Sequence, residues 1–306
     1  MASEAGKVEH LSGDPRISSR QFRNLTVLTI LLLVCFAKPL YDLVRYALNS
    51  ELFSYVLLVP FISLYLAWLK KEDLTITGSP SRGLALIPSC AGVVVLLGYW
   101  LAARSGSTIA QAEYLTWAIF GFFLLFAGIC FFCLGRDALR ALAFPLGFLA
   151  FIVPLPTCLT ARLETLLQHA SAAGAHAFFI LSGMPVFRRG LMLQLPGMRL
   201  EVAPECSGIH STLVLFITSI IAAQLFLATP ARRLLLVLSV LPLGILRNAF
   251  RIWTIGQLCV HVSPEMINSP IHRRGGPLFF LISLVPLFLL LYTLRRSESK
   301  IRLIGI

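Results

Sequence analysis

Charge is what this 306-residue sequence has least of: Asp, Glu, Lys and Arg together make up 13%, about half of the roughly 25% usual in soluble domains. Apolar residues reach 57% and the mean hydropathy is +0.83, which excludes a soluble enzyme, a disordered chain and a coiled coil. Acidic residues are the scarcer sign, 14 against 26 Lys+Arg, for a net charge of +12. In so apolar a chain that excess reads as basic loops on an anionic membrane surface rather than as a nucleic-acid footprint. Internal repeats, low-complexity tracts and a cleavable signal peptide are absent from the expected organisation. A disulfide framework is missing too, although there are seven cysteines. Cys130-x-x-Cys133 has redox or metal spacing, but it sits in GICFFCLG without a His or acidic neighbour and reads as apolar core. No cofactor and no metal are expected.

What the sequence does have is long apolar runs. A spanning helix needs about 20 such residues, and eight segments qualify: approximately Leu25–Val44, Leu52–Leu69, Gly83–Ala103, Tyr114–Leu134, Ala138–Pro156, Gly208–Ala228, Leu234–Val260 and Pro277–Leu294. The fold class is therefore an all-α integral membrane protein of about eight transmembrane helices. With eight crossings, most basic residues fall inside if both termini are cytoplasmic. The expected parts are a cytoplasmic tail at 1–24, a five-helix part at 25–156, an extracytoplasmic loop at 157–207, a three-helix part at 208–294 and a basic cytoplasmic tail at 295–306.

The loop at 157–207 is long for a mere connection, and such segments are usually functional. Its first half, ARLETLLQHASAAGAHAFFILSG, reads as a helix of moderate polarity. Leu191, Leu193 and Leu195 then alternate up to Pro196-Gly197, and Leu200 and Val202 resume the pattern, which predicts a β-hairpin. This short helix plus hairpin leads into Pro204-Glu205-Cys206-Ser207-Gly208.

Three features on the expected outer face could do chemistry. Cys206 stands in polar sequence where the sixth span starts, and Pro204 and Glu205 suit the first turn of a helix. A thiol there is polarised toward the thiolate by the helix dipole. His210, four residues on, would share its helix face. Arg247 and Arg251 lie four apart on one face of a span, with Asn248 between them. An arginine at a helix centre costs at least about 2.5–3.5 kcal/mol on insertion scales, so two on one face imply a polar pocket. Neither can act as a base; they can stabilise a thiolate, a carboxylate or an oxyanion. His272 precedes the last span beside Arg273 and Arg274, where cationic neighbours favour the neutral imidazole that proton transfer requires. His169 and His176, on one face of the loop helix, are the alternative histidines. A zinc site built from Cys206, His210 and His272 lacks the usual ligand spacings.

From about Phe144 to Phe280 the sequence resembles the exosortase/archaeosortase family of polytopic membrane cysteine transpeptidases. The resemblance is strongest over LEVAPECSGIHS (Leu200–Ser211), RNAFRI (Arg247–Ile252) and the late H-x-x-x-G at His272–Gly276. IVPLP (Ile152–Pro156) and GMPVFRRG (Gly183–Gly190) extend it, whereas the first 140 residues match only in being transmembrane. It implies Cys206 as nucleophile, Arg251 as catalytic arginine and His272 as the late histidine. Arg247 and Asn248, with Glu205, Ser207, Gly208 and His210, are supporting residues. His210 departs from the pattern, since many members have arginine there.

The implied reaction cleaves a C-terminal, Pro-Glu-Pro-type sorting signal of exported proteins through a thioacyl intermediate and passes the product to a lipid or envelope acceptor. The implied location is the inner membrane, with the site outside. Arg188 and Arg189, or Arg273 and Arg274, are candidates for binding the acidic residue of the signal. Two other readings stay open: a thiol-dependent membrane acyltransferase, and a non-catalytic transporter or assembly factor for exopolysaccharide. In the latter, Arg247 and Arg251 would line an anion path.

Overall fold

The computed structural model describes residues 19–71, 82–104, 110–134, 136–271 and 275–304. It is mostly helical and divides into two compact units, Met1–Pro156 and Thr157–Ile306.

The first unit contains α1 (Ser19–Cys35), α2 (Ala37–Asn49), α3 (Val59–Leu69), α4 (Arg82–Arg104), α5 (Gln111–Cys133), α6 (Arg136–Ala141) and α7 (Ala143–Leu149). Its centre is the antiparallel pair α4 and α5. Small residues let these two helices approach: a Cβ on Gly121 would lie 2.6 Å from Leu96, one on Gly92 would meet Leu125 at 3.1 Å, and one on Gly128 would overlap Ser89. Membrane helices lack a hydrophobic drive toward each other, so close backbone approach and dispersion carry the pairing. Two buried hydroxyls tie the irregular stretches down. Ser63 Oγ donates to the Pro145 carbonyl at 2.8 Å, and Thr116 Oγ1 to that of Pro154 at 3.1 Å.

The second unit contains α8 (Thr157–Leu181), strands β1 (Phe187–Arg189), β2 (Met192–Leu195) and β3 (Met198–Glu201), then α9 (Ile209–Phe226), α10 (Pro230–Leu238), α11 (Val240–His261) and α12 (Gly276–Ile304). The strands form one antiparallel sheet in sequence order. Leu193 pairs with Leu200 and Leu195 with Met198, across a turn in which Gly197 takes the positive φ of +77° that follows a proline in a type II turn. Leu193, Leu195, Leu200 and Val202 are buried in one cluster with Phe179, Ala249 and Ile252. α11 runs parallel to α8 and antiparallel to α9, and glycine sits at both seams. A Cβ on Gly174 of α8 would lie 2.8 Å from Ala249, and one on Gly244 of α11 would lie 2.7 Å from Thr212 Oγ1.

These elements revise several expectations. Among the described residues five helices are long and apolar enough to cross a membrane, or up to seven if two bent pairs each make one span, against the eight expected. Leu25–Val44 is broken between α1 and α2, which meet at 69°. Leu52–Leu69 yields only the 11-residue α3 after a 3-10 turn. Ala138–Pro156 splits into α6, α7 and a second 3-10 turn that ends at Val153, whose extended backbone suits the residue before Pro154. The helix of the loop is not short but 25 residues long, the hairpin carries a third strand, and α12 runs on through residues 295–304.

Candidate functional site

The chain enters the candidate site from β3 through Val202, whose carbonyl accepts from buried Gln168 Nε2 of α8 at 3.1 Å. Pro204–Cys206 then forms one 3-10 turn, closed by Cys206 N–H to the Ala203 carbonyl at 2.8 Å and Ser207 N–H to that of Pro204 at 3.0 Å. Gly208 caps α9 in the left-handed region, at φ +72°. Cys206 therefore precedes α9 rather than lying in its first turn. His210 lies in the first turn of α9, beyond the Gly208 reversal. Cys206 itself is half-buried and takes part in no disulfide among the described residues.

Two side chains of α11 hold this reversal. Asn248, 2% exposed, donates from Nδ2 to the Cys206 carbonyl at 2.7 Å. Arg247, 8% exposed, donates from Nη2 to the Gly208 carbonyl at 3.2 Å. That carbonyl also accepts from Thr212 N–H at 3.0 Å, Thr212 Oγ1 at 2.9 Å and Ser211 Oγ at 3.2 Å. The fit leaves no room at Gly208, where a Cβ would lie 2.8 Å from Arg247 Nη2 and 2.9 Å from Asn248 Cγ. Buried Ser207 turns its Oγ back to accept from Ile209 N–H at 3.4 Å.

Arg247 Nη1 is buried with no hydrogen-bond partner among the described residues. A buried guanidinium with an uncommitted N–H beside the Cys206–Gly208 turn can receive an anion. Arg251 lies one turn further along the same face of α11 and is half-buried. The structure thus brings Cys206, Ser207, Gly208, Arg247 and Asn248 together. His272, Arg273 and Arg274 lie outside the described residues, as does the side chain of Glu205. Arg188 donates to the carbonyls of Gly190 at 2.9 Å and His169 at 3.3 Å, fastening the sheet to α8, while Arg189 is exposed. Among the described residues no group of three His, Cys, Asp or Glu is placed to hold a metal.

Sequence reading missed Gln168, Thr212 and Gly244. The first had a signal, a glutamine inside a largely apolar helix. The other two are a contact between residues distant in sequence, which no local pattern reveals.

No curated protein and no solved structure matches the chain. The model of a family described as transmembrane exosortase matches residues 47–289, a span that takes in the Cys206 turn, the α11 residues that grip it and the apolar helices around them. On that match this multi-pass membrane protein belongs to the transmembrane exosortase family.

Proposed function

We propose that the chain is a membrane-embedded cysteine transpeptidase that removes a C-terminal, Pro-Glu-Pro-type sorting signal from exported proteins. The observation that carries this reading is the Cys206–Gly208 reversal gripped by Asn248 and Arg247. Catalysis by a thiol depends on holding it in one orientation toward a carbonyl, and two buried side chains of a neighbouring helix are spent on that turn.

In the proposed reaction the Cys206 thiolate adds to the backbone carbonyl at the cleavage point. Arg251 balances the oxyanion, with Arg247 supporting it. The C–N bond breaks as His272 protonates the leaving amine, and the acyl group stays on Cys206 as a thioester. An amine or hydroxyl of a lipid or envelope acceptor then attacks the thioester, gives up its proton and regenerates the thiol. The site faces the extracytoplasmic side, where exported substrates present their signal.

The test is a processing assay in membranes. A tagged exported protein ending in a Pro-Glu-Pro-type signal is co-expressed with wild type, Cys206→Ala or Cys206→Ser. Loss of the signal helix with wild type alone is the expected result. Processing that survives both substitutions would sink the nucleophile assignment. A harmless Cys206→Ser would favour the transport or assembly reading, which needs a small polar residue there and no thiolate.

A further inference from the structure

A second polar site lies at the far end of α9 from Cys206. α9 has 18 residues, about 27 Å at roughly 1.5 Å per residue, close to the ~30 Å of a hydrocarbon core. Phe226, its last residue, therefore stands near the headgroups of the opposite leaflet. There a cavity of about 400 Å³ opens between the α9–α10 turn and the last turns of α12, lined by Arg233, Arg295, Glu298 and the apolar Leu225 and Phe226.

The electrostatics of this cavity favour an anion despite Glu298. That carboxylate is 8% exposed and already occupied: it accepts from the N–H groups of Ala228 at 3.0 Å and Thr229 at 2.9 Å, and Arg232 pairs with it at 3.6 Å. The Arg232–Glu298 pair cancels in charge and pins α12 to the turn. Arg233 is fixed through Nε to the Leu227 carbonyl at 2.8 Å and through Nη1 to Gln224 Oε1 at 2.7 Å. Its Nη2 remains for a ligand. The Arg295 guanidinium lies over the Phe226 ring at 5.6 Å. Neither Arg233 nor Arg295 has a carboxylate partner among the described residues, so the cavity keeps two positive charges. Leu225 and Phe226, each 45% exposed, form its apolar lip.

We propose that this cavity binds the phosphate headgroup of an anionic phospholipid, with Arg233 and Arg295 on the phosphate oxygens and the glycerol-acyl part against Leu225 and Phe226. Two preoriented guanidiniums beside an apolar wall at headgroup depth match that amphipathic ligand better than a free anion, which would leave the wall unused. The proposal is independent of the chemistry assigned to Cys206.

The experiment titrates the full-length protein, in an uncharged detergent, with fluorescent phosphatidylglycerol and with the matching phosphatidylcholine. Saturable binding of phosphatidylglycerol, with phosphatidylcholine weaker by more than about tenfold, is expected from two cationic contacts of about fivefold each. The double variant Arg233→Gln/Arg295→Gln should abolish that preference, and Arg140→Gln, an exposed arginine of the first unit, should leave it intact. Arg295→Gln alone should weaken binding about fivefold at an unchanged melting temperature, which separates ligand loss from misfolding because the Arg295 side chain is exposed. Equal losses in the Arg140 and Arg233/Arg295 variants, or inorganic phosphate displacing half of the lipid at an equal concentration, would overturn the proposal.

Discussion

At the scale of single residues, the positions that matter most around Cys206 are those that shape its backbone. Gly208 is doubly constrained, by φ +72° and by the 2.8 Å approach of Arg247 to where a Cβ would stand. Left-handed backbone alone costs a non-glycine residue about 1–2 kcal/mol, and the overlap forces Arg247 or Asn248 off its carbonyl. Gly208→Ala is therefore expected to lower the rate of signal removal by on the order of 100-fold, about 2.7 kcal/mol, while the protein still inserts; single-turnover processing in membranes measures it. Asn248→Asp replaces the donor to the Cys206 carbonyl by an acceptor. With a buried hydrogen bond turned into a lone-pair repulsion, a loss of roughly 2–3 kcal/mol in the stability of the turn is expected, read as faster alkylation of Cys206 by a small maleimide together with slower processing. A processing rate equal to wild type in Asn248→Asp would contradict the positioning role.

At the scale of elements, α11 is set by what it can approach. Gly244 lets it close on Thr212 of α9, at 2.7 Å from an added Cβ, and Gly174 lets α8 close on Ala249, at 2.8 Å. Gly244→Val should push α11 off α9 and lower the melting temperature in detergent, at an overpacking cost of roughly 1–3 kcal/mol. Processing should fall with it, since Arg247 and Asn248 lie one turn further along the same helix. Much of this was legible beforehand at the level of residue type: the thiol beside a glycine, the arginine pair around an asparagine, the alternation of Leu193 and Leu195. The helix boundaries were less so. A hydropathy window registers apolar content but not the bend at Phe36 or the breaks ahead of Pro154 and Pro156, so it counts spans where the backbone has joints. β1 escaped because Phe187–Arg189 is three residues long, too short to show a period.

At the scale of the whole molecule, one topological expectation does not depend on the total number of spans. From Cys206, α9 crosses once, α10 and α11 return, and α12 crosses again, so residue 304 should lie on the membrane face opposite the thiol. A membrane-impermeant maleimide applied to spheroplasts should label Cys206 in a variant lacking the other exposed cysteines, Cys35, Cys90 and Cys158. A protease applied from the same side should spare a C-terminal tag. Labelling and cleavage from one side would contradict this course of the chain. The N-terminus is a separate matter. Both termini fall on one face with an even number of crossings, which the five to seven candidate spans among the described residues meet at six, or at eight if the 11-residue α3 also crosses.

The carbonyl of Gly208 has a consequence for spectroscopy. A carbonyl offers two lone pairs, yet this one receives four donors, from Thr212 N–H, Thr212 Oγ1, Ser211 Oγ and Arg247 Nη2. So many donors, one of them a cation, draw electron density out of the C=O bond. A ¹³C label at Gly208 should absorb at lower amide I frequency than the same label at an ordinary helix carbonyl, and Arg247→Ala should shift the band back up. The same vibration would then report, without any substrate, whether the turn behind Cys206 is held or released.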